Sequence, residues 1–199
     1  MKFYLWVAYS IMTSQASCHK GIFKTRKTPH RTKLMTKITK EVHINASVTK
    51  VWSALADFGN IYKCGPNIVK SHLTSEQSQG VGTTRHCDIS MMNASLEERI
   101  TGWEPEKSLS IEIYSSEKMP GVIGMHAKFE LQAESQGTRL KAYIAYRVKW
   151  GLLGSMMNTM MLKPMSSKNW TRFIAGIKHH IETGETVGSP TKLNLATVS

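Results

Sequence analysis

Apolar and polar positions follow different periods along this chain, and each period predicts a different element. Residues 36–44 alternate between apolar and polar side chains, which predicts a β-strand. Between residues 48 and 55 the apolar side chains recur at helical spacing, which predicts a short helix. Residues 61–64 predict a second short helical turn, which Gly65 and the proline after it terminate.

The region from residue 68 to residue 149 consists of short apolar segments separated by turn residues, about ten residues apart. No helical segment lies between them and the separators are short, so they predict an antiparallel meander. The predicted strands are 68–74, 83–90, 95–103, 108–115, 125–133 and 138–149.

The last part of the chain predicts a long amphipathic helix that begins after residue 154 and ends at Gly184. Pro164 is expected to kink or break this helix, because proline lacks the N–H group that a helix requires. Residues 185–199 are polar and without periodicity, which predicts a loose tail. The apolar face of the helix consists of Trp170, Phe173, Ile174, Ile177 and Ile181.

Together these elements predict an α+β fold. A curved, seven-stranded antiparallel sheet wraps around the long C-terminal helix, and two short helices follow the first strand. A helix can close over the concave face of such a sheet without filling it. The remaining gap predicts a pocket for an apolar small molecule, in a single ligand-binding domain of residues 35–184.

The charge of the chain is concentrated in an N-terminal arm. The 199 residues carry a net charge of +12, and residues 1–40 hold nine Lys and Arg with no Asp or Glu. The rest of the chain holds 17 basic and 14 acidic residues, so no specific nucleic-acid binding is expected of it. We expect residues 1–34 to be a solvated basic leader. The alternative is a transient contact of this arm with an anionic membrane surface.

The first residues also bear on localisation. Residues 3–12 form a short apolar run behind Lys2, and small residues follow at positions 14 and 16, as in a secretory signal. The alternatives are an organelle-targeting leader and a true translation start at Met35, just before the first strand. The start at Met35 is the preferred interpretation and predicts a cytoplasmic protein, whereas the other two imply a secreted or organellar one.

The cysteines Cys18, Cys64 and Cys87 are scattered and lack the spacing of metal ligands. No metal and no cofactor is predicted. Two of these cysteines fall within the predicted domain and are able to pair in principle. Reduced, partly buried thiols in a cytosolic protein are the preferred interpretation.

The order and spacing of five segments resemble those of the SRPBCC superfamily. It includes the START lipid-transfer domains, the birch-pollen allergens, the plant abscisic acid receptors, and the polyketide cyclase/dehydrase and lipid-transport proteins. The segments are 51–58 (VWSALADF), 80–85 (GVGTTR), 96–100 (LEERI), 119–120 (MP) and 175–178 (AGIK). The resemblance spans residues 36–184 and implies the helix-grip fold. It also implies a carrier or sensor of a hydrophobic or amphipathic molecule such as a lipid or polyketide, or alternatively a cyclase or dehydratase.

The candidate polar group of the pocket is Glu98. In its strand Leu96, Glu98 and Ile100 share one face, which the apolar residues identify as the inward face. A buried carboxylate needs a partner, and alternation places Arg85 on the same face of the neighbouring strand. The pair is interpreted as a polar anchor for the ligand, or alternatively as a structural ion pair. The resemblance favours the anchor, because the glutamate of a similar pair faces the ligand in the abscisic acid receptors.

The walls of the pocket are predicted from the same alternation. The loop 119–121 is expected at its mouth, and methionines of the C-terminal helix are expected to form an adaptable lid. No catalytic residue is predicted firmly. Glu98 is the candidate acid or base if the protein is an enzyme, and His86 and His126 alternate outward. The predicted ligand-binding residues are Arg85, Cys87, Ile89, Glu98, Ile100, Ile111, Ile113, Phe129, Tyr146, Met157, Met160 and Met161.

Overall fold

The computed structural model describes residues 35–90, 93–118, 122–149 and 151–199. The predicted basic leader (residues 1–34) and the predicted mouth loop (119–121) lie outside the described residues. One antiparallel sheet contains all seven predicted strands. These are β1 (Thr36–Ile44), β2 (Ile68–Leu73), β3 (Thr84–Ile89), β4 (Ala94–Glu104), β5 (Ser108–Glu117), β6 (Val122–Glu134) and β7 (Gly137–Val148).

The strands follow the order β1-β7-β6-β5-β4-β3-β2 across the sheet. Each strand from β2 to β6 therefore pairs with the next one in the chain, as short connections favour. The first strand pairs with the last, in a register that sets Val42 opposite Leu140 and Ile38 opposite Ile144. These four side chains are buried, so alternation fixes this register.

Two irregularities bend the strands at one end of the concave face. On β5, Tyr114 is skipped in the pairing with β4. On β6, the pairing with β7 is interrupted between Ile123 and His126, where Gly124 has a φ of 57°. Glycine adopts this left-handed conformation without the strain that a Cβ atom causes. Extra residues of this kind increase strand twist and bending, which curves the sheet here.

One α-helix follows the first strand: α1 (Val48–Ala56), whose N-cap Ser47 accepts a hydrogen bond from the N–H of Lys50. Trp52 and Leu55 are among its buried residues. The predicted second short helix is a 3₁₀ helix, Phe58–Lys63. Its Phe58 and Ile61 are buried, so it closes the sheet beside β2 and β3.

The C-terminal helix is interrupted as Pro164 predicts. It consists of α2 (Gly151–Met157), a π-helical turn (Asn158–Leu162) and α3 (Lys163–Thr183). Pro164 lies in the first turn of α3, where its missing N–H is tolerated, and the wider turn directly before it absorbs the interruption. In the described part of the chain no helix combines the length and the apolar character that crossing a membrane requires.

The C-terminal segment departs from the loose tail that the sequence predicts. The N–H of Val187 donates to the carbonyl of Lys63, and the backbones of Ser199 and Glu41 exchange two hydrogen bonds. Val198, which is 9% exposed, bridges to Val42 at the free edge of β1. Residues 185–199 are therefore attached at two points. The reason is that an edge strand presents unpaired backbone groups that a polar segment can satisfy.

The two halves of α3 have different neighbours. In the C-terminal half, Ile174, Ile177 and Ile181 are buried against the sheet. In the same half, Gly176 lies so close to the loop after the 3₁₀ helix that a Cβ atom would be 2.2 Å from the carbonyl oxygen of Cys64. This contact fixes the distance between the helix and that loop.

We predict that Gly176→Ala destabilises the protein by about 1–3 kcal/mol, because the added methyl group displaces the helix or the loop. In an exposed helix the same change stabilises by roughly 1 kcal/mol, so the sign of the change in unfolding free energy shows whether the close contact exists. Gly188→Ala is the matched control, since a Cβ atom there meets Pro190 at an ordinary 3.5 Å. Urea denaturation of the three proteins measures the difference, and an unchanged Gly176→Ala protein would contradict the close contact.

Candidate functional site

A hollow of about 190 Å³ lies between the concave face of the sheet and the N-terminal half of α3. Its walls come from β3 to β7, the start of β2 and the helix, and most of them are apolar. The residues that line it are Asn67, Ile68, Arg85, Ile89, Leu96, Glu98, Ile111, Ile113, Val122, Met125, Tyr146, Leu162, Met165, Ser166, Asn169, Trp170 and Phe173.

Half of the predicted binding residues line this hollow. They are Arg85, Ile89, Glu98, Ile111, Ile113 and Tyr146. Cys87, Ile100 and Phe129 are also buried on the inward side but do not line it, although Cys87 contacts Glu98. The reason is that the open space occupies one end of the concave face, while the other end is filled. There Trp52 of α1 meets Trp103 of β4, with 4.9 Å between ring centroids.

The predicted methionine lid is wrong. Met160 and Met161 are 77% and 54% exposed, and Met157, which is half-buried, does not line the hollow. The π-helical turn and Pro164 end the first helical segment, and the residues that face the hollow begin only after Met161. They recur at the spacing of one α-helical face: Leu162, Met165, Ser166, Asn169, Trp170 and Phe173. Helical spacing counted from Trp170 and Phe173 towards the N-terminus leads to this face. Because Ser166 and Asn169 are polar, the face does not stand out as apolar in the sequence.

The polar end of the hollow is the predicted pair of Arg85 and Glu98. The two residues are directly opposite each other on β3 and β4, and they are 4% and 6% exposed. Arg85 Nε donates to Glu98 Oε2 at 2.5 Å, and Arg85 Nη1 donates to the carbonyl of Phe58 at 2.9 Å. The guanidinium also lies over the Phe58 ring, 3.9 Å from its centroid. The arginine is thus held from three directions.

Each member of the pair has one polar atom without a hydrogen-bond partner among the described residues. In the described part of the chain, Arg85 Nη2 and Glu98 Oε1 form no hydrogen bond with another side chain or backbone group. The one side-chain nitrogen or oxygen that is buried there without a partner is Arg172 Nε. It follows that Nη2 and Oε1 keep accessible surface, and both residues line the hollow. A donor and an acceptor therefore lie side by side at its polar end.

Two cysteines lie near this pair, and both are free and buried. The Cys87 thiol donates to Glu98 Oε2 at 3.4 Å. Burial, followed by the charge of Glu98, raises the pKa of Cys87, and burial raises the pKa of Cys64 to about 12. Both groups are therefore neutral thiols near neutral pH, which makes them poor nucleophiles.

A second polar contact holds the π-helical turn to the sheet. The hydroxyl of Tyr146 donates to Asn158 Oδ1 at 3.0 Å, and Asn158 Nδ2 donates to Thr36 Oγ1 at 2.7 Å. Asn158 and Tyr146 are both buried, and burial raises the pKa of Tyr146. The phenol therefore stays protonated and serves as a donor at the edge of the hollow.

The histidines lie outside the hollow, as alternation predicts. On the outer face of the sheet, His86 contacts Glu97 at 2.5 Å and Asp88 at 3.1 Å, and His126 is exposed. The hydrogen bond with Glu97, and then that with Asp88, raises the pKa of His86. Among the described residues no cluster of His, Cys, Asp and Glu has the geometry of a metal site.

The family model described as "Polyketide cyclase / dehydrase and lipid transport" matches residues 35–182. No curated protein sequence matches the chain.

Solved structures match the fold at low sequence identity. A protein from Thermus thermophilus is 13% identical with a TM-score of 0.61, over 73% of this chain and 97% of that one. A START superfamily protein from Mycobacterium smegmatis is also 13% identical, with a TM-score of 0.56, over 74% and 98%. The di-domain ARO/CYC StfQ from the steffimycin biosynthetic pathway is 11% identical, with a TM-score of 0.59, over 75% of this chain and 52% of that one. At this identity the likeness concerns the fold.

We predict that Arg85→Met destabilises the protein by about 3–5 kcal/mol, because it leaves the Glu98 carboxylate buried without its cation. The double variant Arg85→Met/Glu98→Leu should recover much of this loss, since it removes both charges. Chemical denaturation of the single and double variants measures the coupling. The matched control is Arg99→Met, whose partner Glu112 lies 3.3 Å away at the surface and which should lose less than about 1 kcal/mol. Equal losses for Arg85→Met and Arg99→Met would contradict the buried pair.

Proposed function

The chain belongs to the polyketide cyclase/dehydrase and lipid transport family, within the SRPBCC superfamily, and we propose that it is a carrier or sensor of an apolar or amphipathic molecule. The ligand occupies the hollow between the sheet and α3, within a domain of residues 35–184. The observation that carries this proposal is the open pair of Arg85 Nη2 and Glu98 Oε1 at one end of an apolar enclosure. Apolar walls with a few convergent polar groups are the usual composition of a small-molecule site.

The polar pair indicates which chemical groups the ligand carries. Arg85 Nη2 donates to a carbonyl oxygen, and Glu98 Oε1 accepts a hydrogen bond from a hydroxyl group. A molecule with an apolar body and neighbouring carbonyl and hydroxyl groups satisfies both. Polyketides and oxygenated lipids have this composition. The proposal requires no cofactor or metal.

The volume of the hollow limits the size of the ligand that it encloses. Its 190 Å³ is smaller than the roughly 300–1,000 Å³ of sites that enclose a drug-sized molecule. A second hollow of about 290 Å³ adjoins it and shares Leu96, Ile113, Val122 and Met125. A larger ligand is accommodated by displacing these side chains, or by extending past Met165, which lines the hollow and is 44% exposed.

An enzyme of the cyclase or dehydratase type is the second candidate, because the only carboxylate among the described residues that line the hollow is also open to it. In such a reaction Glu98 Oε1 takes a proton from the substrate, and Arg85 Nη2 stabilises the negative charge that develops on the substrate oxygen. Both functions use Arg85 and Glu98.

We also propose that the protein works in a reducing compartment, the cytoplasm. The two cysteines of the described chain are free, buried and neutral, which suits a protein without structural disulfides. Alkylation of the unfolded protein after isolation from its source, followed by mass spectrometry, tests this: both thiols should be modified without prior reduction.

We predict that Met165→Trp weakens uptake of the uncharged fluorescent probe N-phenylnaphthylamine by roughly tenfold, because the indole obstructs the hollow. Met156→Trp is the matched control, since Met156 is 61% exposed on the same helical segment and lies away from the hollow. The fluorescence of the probe reports uptake. Equal affinities of the two variants would contradict uptake at this place.

The polar anchor is tested with the molecule that the protein retains from its own source. Native mass spectrometry followed by organic extraction identifies this molecule, and Glu98→Gln keeps the size of the side chain. We expect the variant to bind the retained molecule at least tenfold more weakly and N-phenylnaphthylamine with unchanged affinity, since a charge-assisted hydrogen bond is worth about 1.5–3 kcal/mol. If Glu98→Gln binds the molecule normally but no longer converts it, the enzyme is supported instead. Normal binding with no conversion by either protein would contradict the role of Glu98.

A further inference from the structure

The C-terminal helical segment carries an exposed apolar surface. Met156, Met160, Met161 and Met165 are 61%, 77%, 54% and 44% exposed; we refer to these four residues as the methionine patch. Spacings of four and five residues, with the π-helical turn between them, keep Met156, Met160 and Met165 on one side of the segment. Exposed apolar side chains grouped on one side of a helix are typical of an interaction site.

Two lysines lie beside the methionine patch. Residues 149–181 contain five Lys and Arg and no Asp or Glu. Lys163 follows Met160 by three residues, and Lys168 follows Met165 by three, so each lies beside the patch on the helix surface. Both are exposed. The lysines that form ion pairs in the described part of the chain are Lys63, Lys128, Lys141 and Lys178, so the charges of Lys163 and Lys168 are free for a partner.

The hollow reaches the surface at this patch. Met165 is one of its wall residues and at the same time one of the four exposed methionines. A molecule that leaves the hollow past Met165 therefore meets an apolar, positively charged surface.

We propose that the methionine patch docks on an anionic lipid bilayer, so that an apolar ligand passes between the bilayer and the hollow past Met165. The methionines enter the interfacial region of the bilayer, and Lys163 and Lys168 contact anionic headgroups. Flexible, polarizable methionine side chains suit a disordered apolar phase, and lysine near an anionic surface adds attraction that salt weakens. The ligand exchange rests on the proposed function, whereas the docking does not.

Charge argues against the two main alternative occupants. A second copy that paired through the same patch would bring Lys163 and Lys168 against their own counterparts, which repels. The phosphates of a nucleic acid would pair with the lysines, but the methionines would remain exposed to water. A bilayer with anionic headgroups satisfies both sets of side chains.

The test is flotation of the full chain with vesicles of phosphatidylcholine alone and of phosphatidylcholine with about one-quarter phosphatidylserine. We expect binding to the mixed vesicles that falls with added salt, and weaker binding to phosphatidylcholine alone. Met160→Ser/Met161→Ser should bind the mixed vesicles at least tenfold more weakly, because two apolar side chains no longer enter the bilayer. The matched control is Val69→Ser, a 66% exposed apolar residue on β2, which should bind as the unaltered chain does.

The contribution of charge is tested separately. Lys163→Gln/Lys168→Gln should lower binding to the mixed vesicles by roughly 25-fold, at about fivefold per lysine, and leave binding to phosphatidylcholine unchanged. Lys107→Gln is the control, since this exposed residue lies between β4 and β5, at the end of those strands remote from α2. The basic leader is present in every protein, so differences between variants report on the patch.

Three results would overturn the docking proposal. The first is vesicle binding that the methionine substitutions leave unchanged, which would assign it to the basic leader. The second is absence of binding to either vesicle. The third is a concentration-dependent dimer, seen by sedimentation, that the methionine substitutions dissociate without any effect on vesicles. Uptake of N-phenylnaphthylamine in solution is measured in parallel: because Met160 and Met161 do not line the hollow, it should be normal, so failure of docking is distinguishable from failure of ligand binding.

Discussion

The rest of the structure depends on the buried contact between Arg85 and Glu98. The strand register sets the two side chains opposite each other, and burial of both means that neither charge is tolerable without the other. Because Arg85 also donates to the carbonyl of Phe58, the contact joins β3 and β4 to the 3₁₀ helix. A more stable arrangement would fill this position with apolar side chains. The pair instead leaves a donor and an acceptor facing open space, which has a chemical use only if something polar enters that space.

Curvature and the division of α3 create this open space. Irregular pairing at Tyr114 and Gly124 bends β5 and β6 at one end of the sheet, while buried isoleucines hold the C-terminal half of the helix against β1. A rigid helix held closely at one end of a bent sheet cannot follow its surface at the other end. The hollow is thus the geometric result of close packing elsewhere.

The sequence predicted the architecture well, because alternation and helical periodicity report directly which face of an element is buried. It also predicted the Arg85 and Glu98 pair, since a lone carboxylate on an apolar face requires a cation within reach. It did not predict which residues of the C-terminal helix line the hollow. Whether Met160 or Leu162 faces the sheet depends on how the helix is rotated about its axis before Pro164. The extra residue of the π-helical turn changes this rotation, and no residue type in the sequence signals such a turn. The attachment of residues 185–199 was missed for a related reason: backbone hydrogen bonds to an edge strand need no particular side chains.

The central claim is that the open atoms of Arg85 and Glu98 hold a ligand inside the hollow. A crystal structure of the protein, isolated from its source without added ligand, tests this most directly. We expect electron density of an organic molecule between Glu98 and Trp170, with oxygen atoms within hydrogen-bond distance of Arg85 Nη2 and Glu98 Oε1. A hollow closed by its own side chains, with the pair bonded only to protein atoms, would contradict the claim and leave the ion pair a purely structural one.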